Sequence, residues 1–369
     1  MTRPLHYQHV VSGDSHVREP IDLWWNTLRD KLGDRTPRVI SEHAGRAGRF
    51  FYTGRYVTNI GGIEANQDAA FGRELREAGY VPEARVKFQI NEGIEAEVMN
   101  PSPTMSVMVS PADIALPCCQ VFNDWLAEFC SYDPKRLIGN GTVPIHDVPW
   151  AVKEIERIAK KGLKGAIVKA EAPDGCPPYR DARYDPFWAA AQDLDLPITL
   201  HIITGRMPDP ILYFHTAQEL EEAPRAMLQV WNELMLVLAN DFIFGGVLDR
   251  FPKLRLVSGE YEVSWLPHFM FRLDQMQADF ASVLPLPKLK MVASDYIRTR
   301  VWHGLVDDPY RYDAIPHVGV DQILWGSDFP HIRSIGPETQ GTLKKMFGQL
   351  PADQQEKIVG LNALALYGR

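Results

Sequence analysis

The sequence predicts an α/β protein, a closed (β/α)₈ TIM barrel with an insertion after its first strand. Two features lead there: short β-rich runs alternate with amphipathic helical stretches over the C-terminal two-thirds, and the runs number eight. A third is negative. No G-x-G-x-x-G follows any of the runs, which weakens an open, dinucleotide-binding sheet.

The first strand is expected near His9 to Ser12 and the second near Glu97 to Met99. Leu137 to Val143 reads as the third, followed by a helix from Trp150 to Lys161 whose Val152, Ile155, Ile158 and Ala159 share a face. Gly165 to Val168 is the fourth strand, with a helix from Asp185 to Leu194 after it. Pro197 to His201 is the fifth, leading to a long helical region from Pro224 to Asn240. Leu254 to Ser258 is the sixth, followed by a helix from Trp265 to Met276. Arg300 to Leu305 and Gln322 to Trp325 complete the series. Such alternation requires parallel pairing with right-handed crossovers. Residues 33–90 break it with Gly61-Gly62, several aromatics and mixed charges, and read as an insertion or cap beside the barrel mouth within a single 1–369 domain.

A chain of 369 residues suits one large barrel with insertions. Its hydrophobic and charged fractions, 45% and 23%, are those of an ordinary soluble domain. The net charge of −8 leaves no excess of Lys and Arg to neutralise phosphates, so nucleic acid is excluded as a partner and a small-molecule substrate is expected. The N-terminus leads into no apolar signal-like core, and no apolar run approaches the ~18 residues of a membrane span. No membrane partner is expected, and the default address is cytoplasmic. Cys118, Cys119, Cys130 and Cys176 form no C-x-x-C pair and read as reduced thiols.

In such a barrel, side chains at the C-terminal ends of the strands converge on one mouth. Asp14 and His16 follow the first strand, two apart, so an extended segment points both to one side. His201 closes the fifth strand, and Asp328 follows the eighth in Trp325-Gly326-Ser327-Asp328-Phe329-Pro330-His331. Each alone has a plainer reading: a strand-end His is often structural, and an Asp after Gly-Ser often caps a helix. Together at strands one, five and eight, two carboxylates and two imidazoles make a site for one divalent cation. Zn²⁺ is the leading expectation, with Mn²⁺ or Fe²⁺ as alternatives.

The chain resembles the amidohydrolase-related family that includes the aminocarboxymuconate-semialdehyde decarboxylase-like enzymes. The carriers are Asp14-Ser15-His16-Val17-Arg18-Glu19-Pro20, Phe251-Pro252-Lys253-Leu254, and Trp265-Leu266-Pro267 with Arg272 and Asp274. Trp325 to His331 and Asn362-Ala363-Leu364-Ala365-Leu366-Tyr367-Gly368 complete them. The resemblance runs from Asp14 to the C-terminus and is weakest in the insertion. It implies a mononuclear metal on Asp14, His16, His201 and Asp328, and a homodimer. This chain departs from many relatives in having Asp14 where they have His. It departs again after the sixth strand, where Ser258-Gly259-Glu260-Tyr261 stands in place of the decarboxylases' catalytic His.

Metal-dependent hydrolysis of a small carboxylated or aromatic molecule is therefore the preferred expectation. Asp328 would take a proton from metal-bound water, and His303 or Glu260 would protonate the leaving group. Non-oxidative decarboxylation by the same site is the alternative, and a ligand-binding barrel without catalysis is a third reading. Lys169, at the end of the fourth strand, reads as a substrate-anion contact or a solvated lysine, or as the bridging lysine of binuclear relatives. Tyr261 shares the strand-six slot, where it would contact substrate. His331 reads as a partner orienting a ligand or substrate, or as a turn residue. His303 is an acid–base candidate or a structural His. Arg272 is either a surface cation or, as in some relatives, an arginine reaching across a dimer interface to a substrate carboxylate.

Overall fold

After β1 (Val11–His16) the chain builds β2 (Arg38–His43), β3 (Arg46–Tyr52) and β4 (Val57–Asn59). It then runs through β5 (Ala96–Asn100), β6 (Leu137–Thr142), β7 (Gly165–Val168), β8 (Ile198–His201), β9 (Leu256–Gly259), β10 (Val301–Leu305) and β11 (Ile323–Trp325). The computed structural model describes residues 5–55, 57–60, 76–204, 217–280, 283, 286–331 and 338–368. Eight strands pair in parallel in the order β1-β5-β6-β7-β8-β9-β10-β11, with helices between them. The ring is drawn shut beside the predicted ligands. Asp328 N donates to Asp14 O at 2.9 Å and His16 N donates to Phe329 O at 2.7 Å. This is the TIM barrel the sequence predicts.

The strands are short and buried along their whole length, as in Gly165-Ala166-Ile167-Val168, because a parallel barrel is covered on both faces. Inside, Val11, Val98, Ile138, Val257 and Leu324 form an apolar layer, against which Ala363 and Leu366 of the last helix (Asn362–Leu366) and Tyr367 just after it pack. That helix is pinned by Asn362 Nδ2, which donates to Ile323 O at 2.8 Å and Val320 O at 2.7 Å. Gly360 lets it approach, since a Cβ there would lie 2.0 Å from His9 O. On the helix Val148–Lys160, Asp147 caps the N-terminus by accepting from Trp150 N, and Ala151, Ile155 and Ile158 face the core.

Two boundaries differ from the sequence-based expectation. The helix expected from Pro224 runs from Ala217 to Val237 with Pro224 inside it, then widens into a π-helical turn at Leu238–Ile243. Strand β1, expected to stop at Ser12, continues to His16. Ser12, Asp14 and Ser15 look like loop residues, but all are buried, and the hydroxyls of Ser12 and Ser15 and Oδ1 of Asp14 are met from within the barrel. Ser12 pairs with Glu97 and Ser15 with Met99, so β1 carries one residue more than β5 there. This is a bulge, a device that re-aims side chains.

Strands β2, β3 and β4 form a separate antiparallel sheet. Its first hairpin turns on Ala44-Gly45, both at positive φ (51° and 72°), the two-residue geometry that matches strand twist. Phe51 packs with Trp24, Leu28, Leu32 and Ile114 in a second apolar cluster. Gly61-Gly62 lie outside the described residues. Among the described residues no helix is long and apolar enough to cross a membrane, and all four cysteines are free thiols.

Candidate metal centre

His16 Nε2 is the hub of the site. It lies 3.5 Å from Asp14 Oδ1 and 3.4 Å from Asp328 Oδ1, while His201 Nε2 lies 3.4 Å from Asp14 Oδ1. The far nitrogen of each imidazole is tied to backbone: His16 Nδ1 is 2.7 Å from Pro101 O, and His201 Nδ1 is 3.0 Å from Ile202 O. A carbonyl can only accept, so each Nδ1 carries the proton and donates. In the neutral ring, Nε2 then offers its lone pair to the cluster, the tautomer a metal ligand needs. Asn100 Nδ2 donates to Asp14 Oδ1 at 2.7 Å and is backed by Asn140 Nδ2, which donates to Asn100 Oδ1 at 2.8 Å.

Glu260 joins these residues. The ligand atoms of Asp14, His16, His201 and Glu260 lie within 4.8 Å of one another, as do those of His16, Glu260, Asp328 and His331. Glu260 (φ 64°) and Asp328 (φ 51°) both hold left-handed backbone, uncommon without glycine and concentrated at functional sites. Gly326 makes room for the turn into Asp328, because a Cβ there would sit 2.6 Å from Asp14 Cβ. His331 Nδ1 is 2.7 Å from Asp328 Oδ1, its Nε2 is 3.1 Å from Ser102 Oγ, and its ring centroid is 4.0 Å from that of His16.

The electrostatics ask for a cation. Burial, then His331 and His201, push His16 well below its usual range, so it stays neutral. Burial alone would lower His201, but the Asp14 carboxylate outweighs it and lifts it to about 9. Burial, and next the charge of Asp328, hold Glu260 up to about 8. Two ligand atoms, Asp14 Oδ2 and His16 Nε2, are buried with no hydrogen-bond partner. An orphaned carboxylate oxygen beside an orphaned imidazole nitrogen is costly unless something positive sits between them. The donor set therefore fits a divalent ion.

Beneath the cluster runs a polar layer that sequence reasoning missed. Arg85, Gln89 and Glu97 are fully buried, and Glu97 Oε1 accepts from Ser15 Oγ at 2.9 Å. Ser327 N donates to Ser12 Oγ at 2.8 Å. A signal existed in Ala96-Glu97-Val98-Met99-Asn100, since a charge inside a fully buried strand demands a partner.

Other candidates fall elsewhere. His303 is fully buried, with Nδ1 3.0 Å from Ser258 Oγ and Nε2 3.3 Å from Ile297 O on the preceding helix. Both nitrogens are occupied on the helix side of the strand, so an acid–base role in the mouth is not supported. Tyr261 is buried against Trp231 in the helix layer, ring centroids 6.4 Å apart, and does not line the cleft. Lys169 is buried at the end of β7 near His146, which burial and then the lysine's charge push down to about 4. Arg272 is exposed, donates to Gln275 and lines no part of the cleft of its own chain.

The cleft that opens over the cluster has a volume of about 860 Å³. His201, Glu260 and His331 line one part of it, Ile21, Phe51 and Met105 give apolar wall, and Arg18, Arg49 and Arg76 add positive charge.

The amidohydrolase family model matches residues 30–369, and the chain belongs to that family of enzymes. Within it, the chain is similar to the gamma-resorcylate decarboxylase of Polaromonas sp. strain JS666. The two are 27% identical over 258 residues, which span 68% of this chain and 77% of the relative. Among solved structures, an amidohydrolase from Mycobacterium avium subsp. paratuberculosis aligns with a TM-score of 0.80 at 21% identity, over 99% of both chains. A dihydroxybenzoic acid decarboxylase from Polaromonas sp. JS666, solved with bound manganese and the inhibitor 2-nitroresorcinol, aligns with a TM-score of 0.68. Identity there is 22%, over 98% of this chain and 97% of that one. At these identities the structural likenesses are of fold.

Proposed function

We propose that the chain is a metal-dependent, non-oxidative decarboxylase of small aromatic carboxylates, with one divalent cation on Asp14, His16, His201 and Asp328. The observation that carries the metal is the pair of buried, unpartnered atoms, Asp14 Oδ2 and His16 Nε2, in a cluster rich in carboxylates. Mn²⁺ displaces Zn²⁺ as the leading ion, because two carboxylates and two imidazoles accept either cation and the Polaromonas structure holds manganese.

The reaction chosen departs from the sequence-based preference for hydrolysis, which rested on a missing strand-six histidine. Glu260 fills that place as a carboxyl that burial, and next the charge of Asp328, favour in its protonated form, so a donor to carbon is present. The activity of the Polaromonas relative points the same way, whereas hydrolysis describes only the family at large.

When bound, the cation neutralises charge on the substrate's carboxylate and an adjacent oxygen. Glu260 gives its proton to the ring carbon that bears the carboxylate. The bond from that carbon to the carboxyl group then breaks, its electron pair returns to the ring, and CO₂ leaves. Glu260, now a carboxylate, regains a proton from water. His331 holds Asp328 in orientation, Phe51 and Met105 shelter the ring faces, and the arginines of the cleft favour an anion.

The test is turnover of an ortho-hydroxybenzoate panel with Mn²⁺ in deuterated water. Equimolar CO₂ and one deuterium on the vacated ring carbon are expected. A product carrying oxygen from ¹⁸O-labelled water, with no CO₂, would restore hydrolysis.

A further inference from the structure

We propose that Arg85 is a positioning residue for the metal centre, gripping the two ligand-bearing strand ends through one buried guanidinium. The inference rests on the metal reading above. Arg85 stands on the helix Pro82–Glu92 and is 0% exposed. Its Nη1 donates to His16 O at 2.9 Å, and its Nε donates to Glu97 Oε2 at 2.6 Å. Its guanidinium carbon lies 4.8 Å from the ring centroid of Phe329, the residue after Asp328. Nη2 is buried and makes no hydrogen bond. His16 and Phe329 are themselves joined, His16 N donating to Phe329 O at 2.7 Å. One planar group thus holds both halves of the link between β1 and the segment after β11.

Glu97 completes the clamp. It faces Arg85 with one carboxylate oxygen, which also accepts from Gln89 Nε2 at 2.9 Å, and with the other it holds Ser15, next to His16. A buried ion pair is a poor stabiliser, because desolvating both charges offsets most of their attraction. What a guanidinium supplies here is direction: donors in a rigid plane, always charged, with a face for an aromatic ring. A lysine ammonium could meet Glu97 but could not also meet His16 O and Phe329 in that geometry.

The test compares wild type, Arg85→Lys and the double variant Arg85→Met/Glu97→Gln, which removes both charges and keeps the volume. Three properties are read: the thermal midpoint of metal-free protein, Mn²⁺ affinity by calorimetry, and the visible spectrum of the Co²⁺ form. The double variant is expected to fold with a near wild-type metal-free midpoint, to bind Mn²⁺ about 10–100-fold more weakly, and to show an altered Co²⁺ spectrum. Arg85→Lys is expected to recover little of that loss. A folded double variant with wild-type Mn²⁺ affinity and Co²⁺ spectrum overturns the proposal and leaves the metal reading standing. Wild type that binds no Mn²⁺ overturns both. Should the double variant fail to fold, Arg85→Lys decides: weakened Mn²⁺ binding upholds the proposal, and unchanged binding overturns it.

Discussion

Glu260→Gln is expected to lower turnover by about 10²–10⁴-fold while Mn²⁺ stays bound. Glutamine keeps the shape and the hydrogen-bonding reach of the side chain but has no acidic proton to deliver. Without the cation, burial and then Asp328 hold Glu260 up to about 8, so below that pH the acid form prevails, and it is lost as pH rises through it. A cation beside Glu260 pulls the value down, so the alkaline limb of kcat/KM is expected below 8. That limb should vanish in the residual activity of the variant. A Glu260→Gln protein that turns over normally would remove the carboxyl from the chemistry. One that loses its metal would make Glu260 a ligand instead.

The second large effect is on metal content. His16→Ala and His201→Ala are each expected to weaken Mn²⁺ binding by more than about 100-fold, because each deletes a donor whose other nitrogen is already fixed to backbone. The same loss should appear as stability. A cation that binds only the folded state adds about 2.7 kcal/mol at a free concentration 100 times its Kd, so Mn²⁺ should raise the thermal midpoint of wild type. Neither variant should respond. Full metal content in both, measured by elemental analysis, would mean that the two imidazoles are structural.

Much of this was legible in the sequence, and the reasons are local. The eight barrel strands stand out because short apolar runs end at polar residues and alternate with helical periodicity. Asp14, His16, His201 and Asp328 stand out because the ends of those strands meet at one mouth. Glu260 was legible as a residue in the right slot, but its raised pKa follows from burial and then from carboxylates brought in from the segment after β11 and from β1. Sequence spacing does not contain that proximity.

The misplaced residues share a cause. His303 and Tyr261 are one strand residue or one turn away from the mouth, but a strand buried on both faces has no polar–apolar alternation to reveal which face a residue takes. The continuation of β1 through Asp14 was hidden because its serines are satisfied by partners as distant as Glu97 and Ser327. Arg85 was hidden for the same reason. In sequence it is one charged residue of a mixed helix, and only the fold turns it beneath His16.

The account stands most directly on where the ion sits. Crystals of the protein grown with Mn²⁺ and measured at the manganese absorption edge would locate it by anomalous scattering. One strong peak per chain is predicted, within roughly 2.0–2.3 Å of His16 Nε2, His201 Nε2 and carboxylate oxygens of Asp14 and Asp328. A fully loaded crystal with its manganese elsewhere, or with no peak among these four side chains, would contradict the metal centre and the reaction built on it.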